Sequence, residues 1–526
     1  MDTMLTAFEY KKQIDSLITR VDEQSALIAK MELLIKHYEE QLLLLKRRQF
    51  GTSSEKTDID FRQLNLWSET VETDSPELEN EEITYTRRKR RGKREADLSN
   101  LPIERIDYEL MEHERTCPEC EELMRDIGVD VRRELKLIPA QVVVVEHAAH
   151  TYACGICQKN NDFTPIMKAE APKPLISGSL ASSSLVAYIA TQKYQNAMPL
   201  YRLEKGFQYD GVVISRQTMA NWVIKCAENY LFTIYEALKA QLLEESVLHA
   251  DETTVQVLRE PDRSAQSKSY SWLYRTSGAS KHKIVVFDYQ QTRKQEHPQK
   301  FLKDFKGFLH TDGYKVYHNL PPDITVVGCW AHARRYWEKL LKSIHKDKRS
   351  GSDAERGMAY INKLFDLERK FKNLSPQERY EKRLEESKPI AEAFFVWVDN
   401  LGALPKTALG EAAHYTLSQR KYLENVYLDG RTELSNNRAE RSVKSFVIGR
   451  KNWLFSCTPN GAIASSIFYS IIETAKENGL NPYQYIKFLL EALPNRNESC
   501  DLESLLPWSR SLPVCCYMAK KAPDCS

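Results

Sequence analysis

Three stretches of the sequence carry a carboxylate where a folded chain would otherwise avoid one. Asp251 ends the apolar run 247–250 inside a predicted strand, and Asp312 follows a second apolar run at 307–311. Glu440 lies near a predicted helix start that is dense in arginine. Because an unpaired carboxylate away from water costs several kcal/mol, we expect a cation beside these side chains.

Asp, Asp and Glu in that order, on strand, strand and helix, is how a polynucleotidyl-transferase core holds two divalent ions. Carboxylates are hard oxygen ligands, which favours Mg²⁺ or Mn²⁺. Each residue also has an ordinary interpretation. Asp312 before Gly313 could be a turn residue, and Glu440 could pair with a neighbouring arginine. Glu252 is an alternative ligand to Asp251.

Basic residues surround Glu440 in the sequence. They are Arg438, Arg441, Lys444, Arg450 and Lys451. Glu440 is the one acidic residue between 438 and 451, so we expect these cations to neutralise phosphate groups. Trp453 follows them and could stack on a base.

The elements that would position these residues form a mixed α+β domain. Apolar periodicity predicts strands at 247–257, 270–276, 283–289, 308–311 and 324–329, and helices at 298–305 and 332–341. Three strands, helix, strand, helix, strand, helix is the order of the ribonuclease-H-like fold. In that fold the first carboxylate lies on strand one and the second follows strand four, which are the places of Asp251 and Asp312.

Glu440 follows Asp312 by 440 − 312 = 128 residues, which is too far for a bare fold of this kind. The range 346–421 has the apolar spacing of helices. We therefore predict a helical insertion between the fifth strand and the catalytic helix. A functional role for this insertion and a passive structural role are both open.

Two CxxC pairs predict a metal site. Their members are Cys117, Cys120, Cys154 and Cys157. Four thiolates suit one tetrahedral ion, usually Zn²⁺. The 33 residues between the pairs contain strand-like segments within 135–145, clearest at 142–145. We predict a zinc ribbon with an inserted β-hairpin, in a structural or DNA-docking role, and redox use of a CxxC pair is the alternative.

The N-terminal region predicts a helix, a linker and a basic block. Apolar residues step by three and four from Ile14 to Leu45, which predicts a coiled-coil arm joining copies of the chain. A helix folded onto its own domain is the alternative. The range 69–82 carries seven carboxylates and is typical of a disordered linker. The block that follows, expected to contact DNA phosphates unless it is only a solvated charge run, begins with Arg87, Arg88, Lys89, Arg90 and Arg91.

The region 185–222 predicts short helices. Ser215 can cap a helix over 216–222 that resembles the recognition helix of a helix-turn-helix motif. The side chains expected to face base edges are Arg216, Gln217 and Asn221. Plain helix packing is the alternative.

The length, composition and net charge of the chain exclude several classes of protein. At 526 residues the chain predicts about three or four domains. No apolar run approaches the roughly 18 residues of a membrane span, and the N-terminus lacks a signal pattern, so we expect no membrane and a cytoplasmic location. The net charge of +2 argues neither for nor against nucleic acid. Eleven scattered cysteines predict metal ligation for the clustered pairs and free thiols for the rest.

Together these motifs resemble the transposase (TnpC) of the insertion-sequence-sixty-six family, over nearly the whole chain. The motifs are the two CxxC pairs, FGTSSEK at 50–56, HADET at 249–253, TDGY at 311–314, GCWAHARR at 328–335, NRAER at 437–441 and GRKNWLF at 449–455. The tail departs from the family, because Cys515, Cys516 and Cys525 lie beyond its usual end.

The resemblance implies a DDE transposase in which Asp251, Asp312 and Glu440 bind Mg²⁺ or Mn²⁺. It implies DNA partners, namely the element's terminal inverted repeats and the target, within a bacterial nucleoid. The family usually encodes two small accessory proteins, so their help is implied too. Cys329 and His332 form a CxxH similar to one in several DDE groups, which we interpret as structural or substrate-orienting, with a second small metal site as the alternative.

We therefore predict an α+β multidomain chain. The expected parts are a coiled-coil helix at 1–50, an acidic and basic linker at 51–100, a zinc ribbon at 101–170, a helical DNA-binding region at 171–240, a ribonuclease-H-like core at 241–345 and 431–495 with a helical insertion at 346–430, and a tail at 496–526. A non-catalytic DNA-binding regulator, a decayed transposase and a structure-specific nuclease are the rival classes. A nuclease would cut DNA but never join ends.

Overall fold

The computed structural model describes residues 141–153, 166–496 and 501–518, together with scattered helical residues between 18 and 35. The linker, the basic block of Arg87 to Arg91 and the four CxxC cysteines lie outside the described residues. The predicted coiled-coil positions Val21, Ile28, Met31 and Ile35 are helical and between 54% and 58% exposed. Their pairing with a second copy stays a prediction.

The described chain falls into two compact units, and the smaller one holds 141–153, 166–172, 204–214 and 517–518. Its strands β1 (Thr151–Ala153) and β2 (Ile166–Lys168) pair antiparallel. The strand expected at 142–145 is wrong, because these valines form no strand and are 43% to 88% exposed. A β-branched run favours a strand only where a partner and a buried face exist.

The larger unit, 173–203 and 215–516 among the described residues, is built around one five-stranded mixed sheet. Its strands are β3 (Val247–Gln256), β4 (Lys268–Thr276), β5 (Val285–Gln290), β6 (Gly307–His310) and β7 (Ile324–Val327). The spatial order is β5-β4-β3-β6-β7. β3, β4 and β5 form an antiparallel meander, whereas β6 and β7 run parallel to β3. All five predicted strands are confirmed, with ends within two or three residues.

The α-helices of the described chain come before, between and after these strands in the sequence. They are α1 (Ser183–Tyr194), α2 (Leu200–Tyr209), α3 (Arg216–Cys226), α4 (Phe232–Leu243), α5 (Glu296–Phe301), α6 (Trp330–Ser343), α7 (Asp353–Lys370), α8 (Pro376–Lys382), α9 (Lys388–Asp399), α10 (Ala408–Ser418), α11 (Arg420–Glu424), α12 (Asn437–Trp453), α13 (Pro459–Glu477) and α14 (Pro482–Ala492). The predicted helices at 298–305 and 332–341 correspond to α5 and α6. No described helix combines the length and the apolar composition that a membrane crossing requires.

Five helices, α7 to α11, occupy the range predicted as a helical insertion. The apolar faces of α6, α7, α9, α10 and α11 form one core, in which Trp337, Phe394 and Phe395 are fully buried, whereas α8 has no buried residue. The indole N–H of Trp337 donates to the hydroxyl of Thr416 at 3.0 Å, which satisfies the polar atom inside this core. These helices therefore extend the core outward from β7, whose Val327 belongs to it.

Gly307 lets β6 start close to β3. Its φ is +142°, and a Cβ at this position would lie 2.3 Å from the backbone oxygen of Ser246. That oxygen accepts the N–H of Phe308 at 2.9 Å, so it cannot move away freely. We expect Gly307→Ala to lower the free energy of unfolding by about 2–3 kcal/mol, as measured by urea unfolding followed by tryptophan fluorescence.

Gly479→Ala is the matched control for this effect. Gly479 also has a positive φ, +74°, but nothing lies within 4 Å of the added Cβ. Gly479→Ala should lower the free energy of unfolding by only about 1 kcal/mol, because its positive φ is the sole source of strain. Equal losses in the two variants would show that the close approach to Ser246 does not matter.

Candidate catalytic site

The parallel pairing of β3 and β6 brings two aspartates to the same edge of the sheet. His249 of β3 lies opposite His310 of β6, and each aspartate follows its histidine by two residues. Because side chains alternate along a strand, Asp251 lies on the same face of the sheet as His249. Asp312 leaves the end of β6 beside it, where the chain turns at Gly313.

Asn436, the N-cap residue of α12, fixes the start of that helix against β3. Its buried side chain donates Nδ2–H to the backbone oxygen of Ala250 at 2.8 Å, and its Oδ1 lies 2.9 Å from Nδ1 of His249. Its backbone N–H donates to Sγ of Cys329 at 3.1 Å. These contacts place the first turn of α12, which carries Glu440, next to the first aspartate.

The carboxylates lie close enough to change one another's ionisation. Burial raises the pKa of Asp251 well above its usual range, and the charges of Glu252, Asp312 and Glu440 raise it further, against one backbone hydrogen bond that lowers it. Like charges gathered in a half-buried site destabilise the ionised state unless a cation compensates. This excess of negative charge is the observation that fits a divalent cation.

The carboxylates of Asp251, Asp312 and Glu440 do not converge on a single point. Within the described part of the chain, the group whose ligand atoms all lie within 4.8 Å of one another is Cys329, His332 and Glu440.

Asp312 combines a turn with its place in the site. Its Oδ1 accepts the N–H of Tyr314 at 3.0 Å, and its backbone oxygen accepts the hydroxyl of Tyr415 at 3.1 Å. Gly313 has φ +91°, and a Cβ there would lie 2.9 Å from Oε1 of Gln419. The turn that the sequence suggested is present, and it holds the carboxylate at the sheet edge.

Both carboxylate oxygens of Glu252 already accept hydrogen bonds from neighbouring side chains. Arg293 donates to its Oε1 through Nε at 2.9 Å and through Nη2, and the hydroxyl of Tyr317 donates to its Oε2 at 2.7 Å. Its side chain is 2% exposed. Burial and Asp312 raise the pKa of Glu252, and its bonds to Tyr317 and Arg293 lower it. Since both oxygens are already bonded, Asp251 is the better metal ligand of the two.

Cys329 and His332 lie at the start of α6 and contact Glu440. The His332 Nδ1 is 3.7 Å from Glu440 Oε1, and Arg335 donates to Glu440 Oε2. Arg335 also donates to Nε2 of His332 at 3.0 Å. Because a guanidinium can only donate, the neutral imidazole carries its proton on Nδ1, facing the carboxylate.

The ligand atoms of Cys329, His332 and Glu440 all lie within 4.8 Å of one another. The orienting role of the CxxH and its alternative, a second small metal site, both stay predictions. Without a metal, burial raises the pKa of the Cys329 thiol to about 11. The Arg335 guanidinium already supplies a positive charge to Glu440. These groups fix the rotamer of the Glu440 side chain.

A buried polar network beneath the site was missed by sequence reasoning. The rings of His249 and His310 stack with centroids 4.5 Å apart and are fully buried. His310 Nε2 accepts the backbone N–H of Glu433 at 3.0 Å, and Arg438 Nε donates to Glu433 Oε1 at 2.6 Å. The signal was available as two histidines, each two residues before an aspartate, but their meeting depends on strand register.

Burial and the neighbouring charged groups together set the charge states in this network. It lowers the pKa of His310 well below its usual value, and the neighbouring His249 lowers it further. Burial alone would raise the pKa of Glu433, but its bonds and attraction to His249 and Arg438 hold that pKa well below the usual range. The network therefore combines one neutral imidazole and one carboxylate. It joins the ends of β3 and β6 to the segment before α12.

Comparison with known proteins identifies the family. The stretch 178–464, more than half of the chain, matches the family described as "Transposase IS66 family". The chain belongs to the IS66 transposase family. Three further stretches match the descriptions "IS66 C-terminal element" at 470–508, "zinc-finger binding domain of transposase IS66" at 114–158 and "Transposase C of IS166 homeodomain" at 37–106.

Relatives of this IS66 family member cover most of its length. The uncharacterised protein y4qI of Sinorhizobium fredii is 29% identical over 488 residues, which are 89% of this chain and 88% of the relative. The uncharacterised protein y4jD of the same organism is 26% identical over 497 residues, 89% and 93% of the two chains. The resemblance inferred from the sequence motifs is thereby confirmed.

The basic residues predicted to bind DNA fall into two groups in this IS66 transposase. Lys444 and Lys451 are exposed on α12. Arg438 is paired with Glu433, and Arg450 donates to the hydroxyls of Thr253 at 2.8 Å and Thr254 at 2.9 Å. Arg450 therefore attaches the end of α12 to β3 in addition to any phosphate contact.

The remaining predicted contacts lie on α12 and α3. Arg441 is half-buried. Trp453 is also half-buried, with its ring edge-on to Phe446 at 5.5 Å. The predicted cap is confirmed, because Ser215 Oγ accepts the N–H of Thr218 at 3.1 Å. Arg216, Gln217 and Asn221 are exposed on α3, as is Lys225, and a base-reading helix requires exposed polar side chains of this kind.

Proposed function

We propose that the chain is a DDE transposase that binds the ends of its insertion sequence, cleaves a DNA strand there and joins the freed end to a target. The observation that supports the proposal is that Asp312 and Glu440, from a second strand end and a helix far away in sequence, lie near enough to Asp251 for their charges to raise its pKa. The family membership agrees with it.

We also propose that the sheet and its helices form a ribonuclease-H-like core interrupted by α7 to α11. Three antiparallel strands followed by two parallel ones in the order β5-β4-β3-β6-β7 support this assignment. The first carboxylate lies on β3 and the second follows β6, as that fold requires. Glu440 enters from α12, after the helical insertion.

Asp251, Asp312 and Glu440 would hold Mg²⁺ or Mn²⁺. When bound, such ions lower the pKa of an attacking water or hydroxyl and stabilise a leaving oxygen. The chain's own residues do the rest. Asn436 sets the approach of α12 to β3, Arg335 and His332 orient the Glu440 carboxylate, and exposed lysines on α12 neutralise phosphates.

The reaction would proceed in two displacements at phosphorus. Water first attacks the phosphodiester at the element's end and releases a 3′-hydroxyl. That hydroxyl then attacks a phosphodiester of the target, forming one bond and breaking one, so that the strands are joined. No covalent protein intermediate and no nucleotide cofactor is required.

The remaining assignments follow from the family. We propose that Cys117, Cys120, Cys154 and Cys157 bind Zn²⁺, which agrees with the zinc-finger match at 114–158. DNA is the proposed partner of the zinc finger, the basic block and α3. Oligomerisation through the N-terminal helix, and help from two small proteins of the same element, belong to the same proposal.

The test is a strand-transfer assay with purified protein, Mg²⁺ and duplex oligonucleotides that carry the labelled ends of the element, taken from the inverted repeats flanking the gene. Labelled end should become covalently joined to an unlabelled plasmid, and EDTA should abolish the product. Cleaved ends without joined product would indicate a nuclease. Tight binding to the ends with neither product would indicate a regulator.

A further inference from the structure

An exposed apolar pair, Leu454 and Phe455, ends the helix that carries Glu440. Leu454 is 61% exposed and Phe455 is 39% exposed. Single exposed apolar side chains are ordinary on protein surfaces. This pair is unusual because of the backbone that presents it.

Leu454 has a backbone conformation that L-residues rarely adopt. Its φ is +67° and its ψ is −52°. The N–H of Phe455 bonds the oxygen of Trp453 at 2.9 Å, which closes a tight three-residue turn of the strained kind. Helices usually place Gly or Asn at such a position. Leu454 is strained, apolar and exposed at this position. Such strain is typical of residues that serve a function and do not stabilise the fold.

Both sides of this tip are held firmly. Before it, the N–H of Leu454 bonds the oxygen of Arg450 at 2.8 Å. After it, Ser456 forms a parallel bridge with Val257, beyond the end of β3, and the N–H of Ser456 bonds the oxygen of Gln256 at 2.9 Å. The tip therefore cannot relax by moving the backbone that flanks it.

The charge around the tip suits a nucleic acid. From Arg441 to Ile472 the sequence has four cations and no carboxylate. Lys451, one turn before the tip, and Arg259, whose N–H bonds the oxygen of Cys457 beside it, are both exposed. The helix end itself carries a partial negative charge, which disfavours a phosphate directly at the tip. The tip is therefore suited to contact bases, and the cations at its side are suited to contact phosphates.

We propose that Leu454 and Phe455 form a wedge that enters a base step of the bound DNA and unstacks it. Apolar side chains inserted in this way bend duplexes and open base pairs. This inference rests on the proposed function, because it presumes DNA in the catalytic site. It concerns how that DNA is deformed, which the carboxylates do not determine.

The structure also predicts where the wedge acts. Val257, which the segment after the tip pairs with, follows Asp251 by six residues along an extended chain, or about 20 Å. DNA rises about 3.4 Å per base along one strand. The unstacked step should therefore lie about six base pairs from the cleaved bond, on one side of it.

The experiment places 2-aminopurine singly at each position within ten base pairs of the element's end. Its fluorescence is quenched by stacking and rises severalfold when the base is unstacked. The complex of full-length protein and DNA is formed with Ca²⁺ in place of Mg²⁺. We expect a rise near the sixth base pair on one side, and its loss in Leu454→Gly, Phe455→Ala and the double variant.

The controls separate the wedge from folding and from DNA binding. Leu454→Gly removes the strain, so its melting temperature should stay the same or rise. Ile448→Ala, which truncates another apolar side chain of α12 that is 47% exposed, should retain the fluorescence signal. All variants should bind the ends within a few-fold of the parent affinity in fluorescence anisotropy.

Three outcomes would overturn the wedge. One is normal binding and cleavage with no fluorescence rise at any position. Another is an unchanged rise in the double variant. A third is a changed oligomeric state of that variant with the rise intact, which would make the tip a contact between proteins. Failure of the unmodified protein to bind or cleave the ends would instead contradict the proposed function.

Discussion

Asp251→Asn should abolish strand transfer while leaving the protein folded and able to bind DNA. Burial raises the pKa of Asp251, and the charges of Asp312 and Glu440 raise it further, so both carboxylates act on this side chain. Losing one metal ligand at this position removes several kcal/mol of transition-state stabilisation. We expect a decrease of about 10³-fold or more in the rate of strand transfer, measured with labelled ends and Mg²⁺.

The same substitution should not destabilise the metal-free fold. Because the folded-state pKa of Asp251 is raised above the unfolded value, its ionised form destabilises the fold as pH rises above the pKa of a free aspartate. Neutral asparagine removes that penalty. At pH 7 the melting temperature without metal should therefore be unchanged or higher. The stabilisation that Mg²⁺ confers on the parent protein, about 2.7 kcal/mol at 100 times its Kd, should be lost.

Asp288→Asn is the matched control for a buried carboxylate of the same sheet. Asp288 lies on β5, where burial raises its pKa to about 6, and its Oδ2 accepts from Gln290 at 2.8 Å. This variant should keep strand transfer and metal stabilisation. If Asp251→Asn retains strand transfer, or if both variants lose it equally, the proposed site is wrong.

The order and type of the secondary-structure elements could be predicted because each strand carries its own pattern. Apolar runs bounded by turns marked all five strands of the sheet, and Ser215 marked the start of α3. The same reasoning failed at 142–145, where four valines are exposed and unpaired as a strand. Strand propensity is a statement about a half-buried surface, and no surface is supplied there by the described residues.

The three carboxylates could be proposed from the sequence, because the free-energy cost of burying a charge can be recognised from the residues next to it. An acidic residue after an apolar run needs a reason wherever the run packs. The residues that position these carboxylates show no such pattern in the sequence. His249 and His310 belong to apolar runs, and they meet only because β3 and β6 pair in one register. Arg450 was expected among phosphate ligands, and its bonds to Thr253 and Thr254 depend on where α12 crosses β3.

Asn436 shows most clearly what a sequence pattern leaves open. A polar residue before a helix predicts an N-cap, with its side chain bonded to the helix's own N–H groups. Here the side chain makes no cap bond. It instead bonds Ala250 and His249 of β3. The residue is a clamp between two elements, and its burial could be known only once both were in place.

Asn436→Ala should reduce strand transfer by about 10²-fold although the residue does not touch a phosphate or a metal ligand. It leaves Nδ1 of His249 without its 2.9 Å contact to Oδ1 and removes the donor that fixes Ala250 at 2.8 Å. The start of α12 then loses its attachment to β3. A displacement of Glu440 by about 1 Å is enough for a loss of this size.

Two measurements distinguish this positioning effect from a general loss of stability. Asn436→Ala should also lower the free energy of unfolding by about 2–3 kcal/mol, because buried polar atoms lose their partners. Asn425→Ala removes one comparable bond, from Nδ2 to the backbone oxygen of Val326 at 2.8 Å, away from the carboxylates. It should cost stability without lowering the rate at a temperature where both variants are folded.

Metal dependence gives the sharper readout. If Asn436 acts by placing Glu440, its loss should raise the Mg²⁺ concentration needed for half-maximal strand transfer by about tenfold, as loss of an orienting partner typically does. In Asn425→Ala that concentration should be unchanged. A variant at Asn436 that is less stable but has the parent's rate and Mg²⁺ requirement would show that α12 reaches the catalytic position without this clamp, and that Glu440 is held by Arg335 and His332 alone.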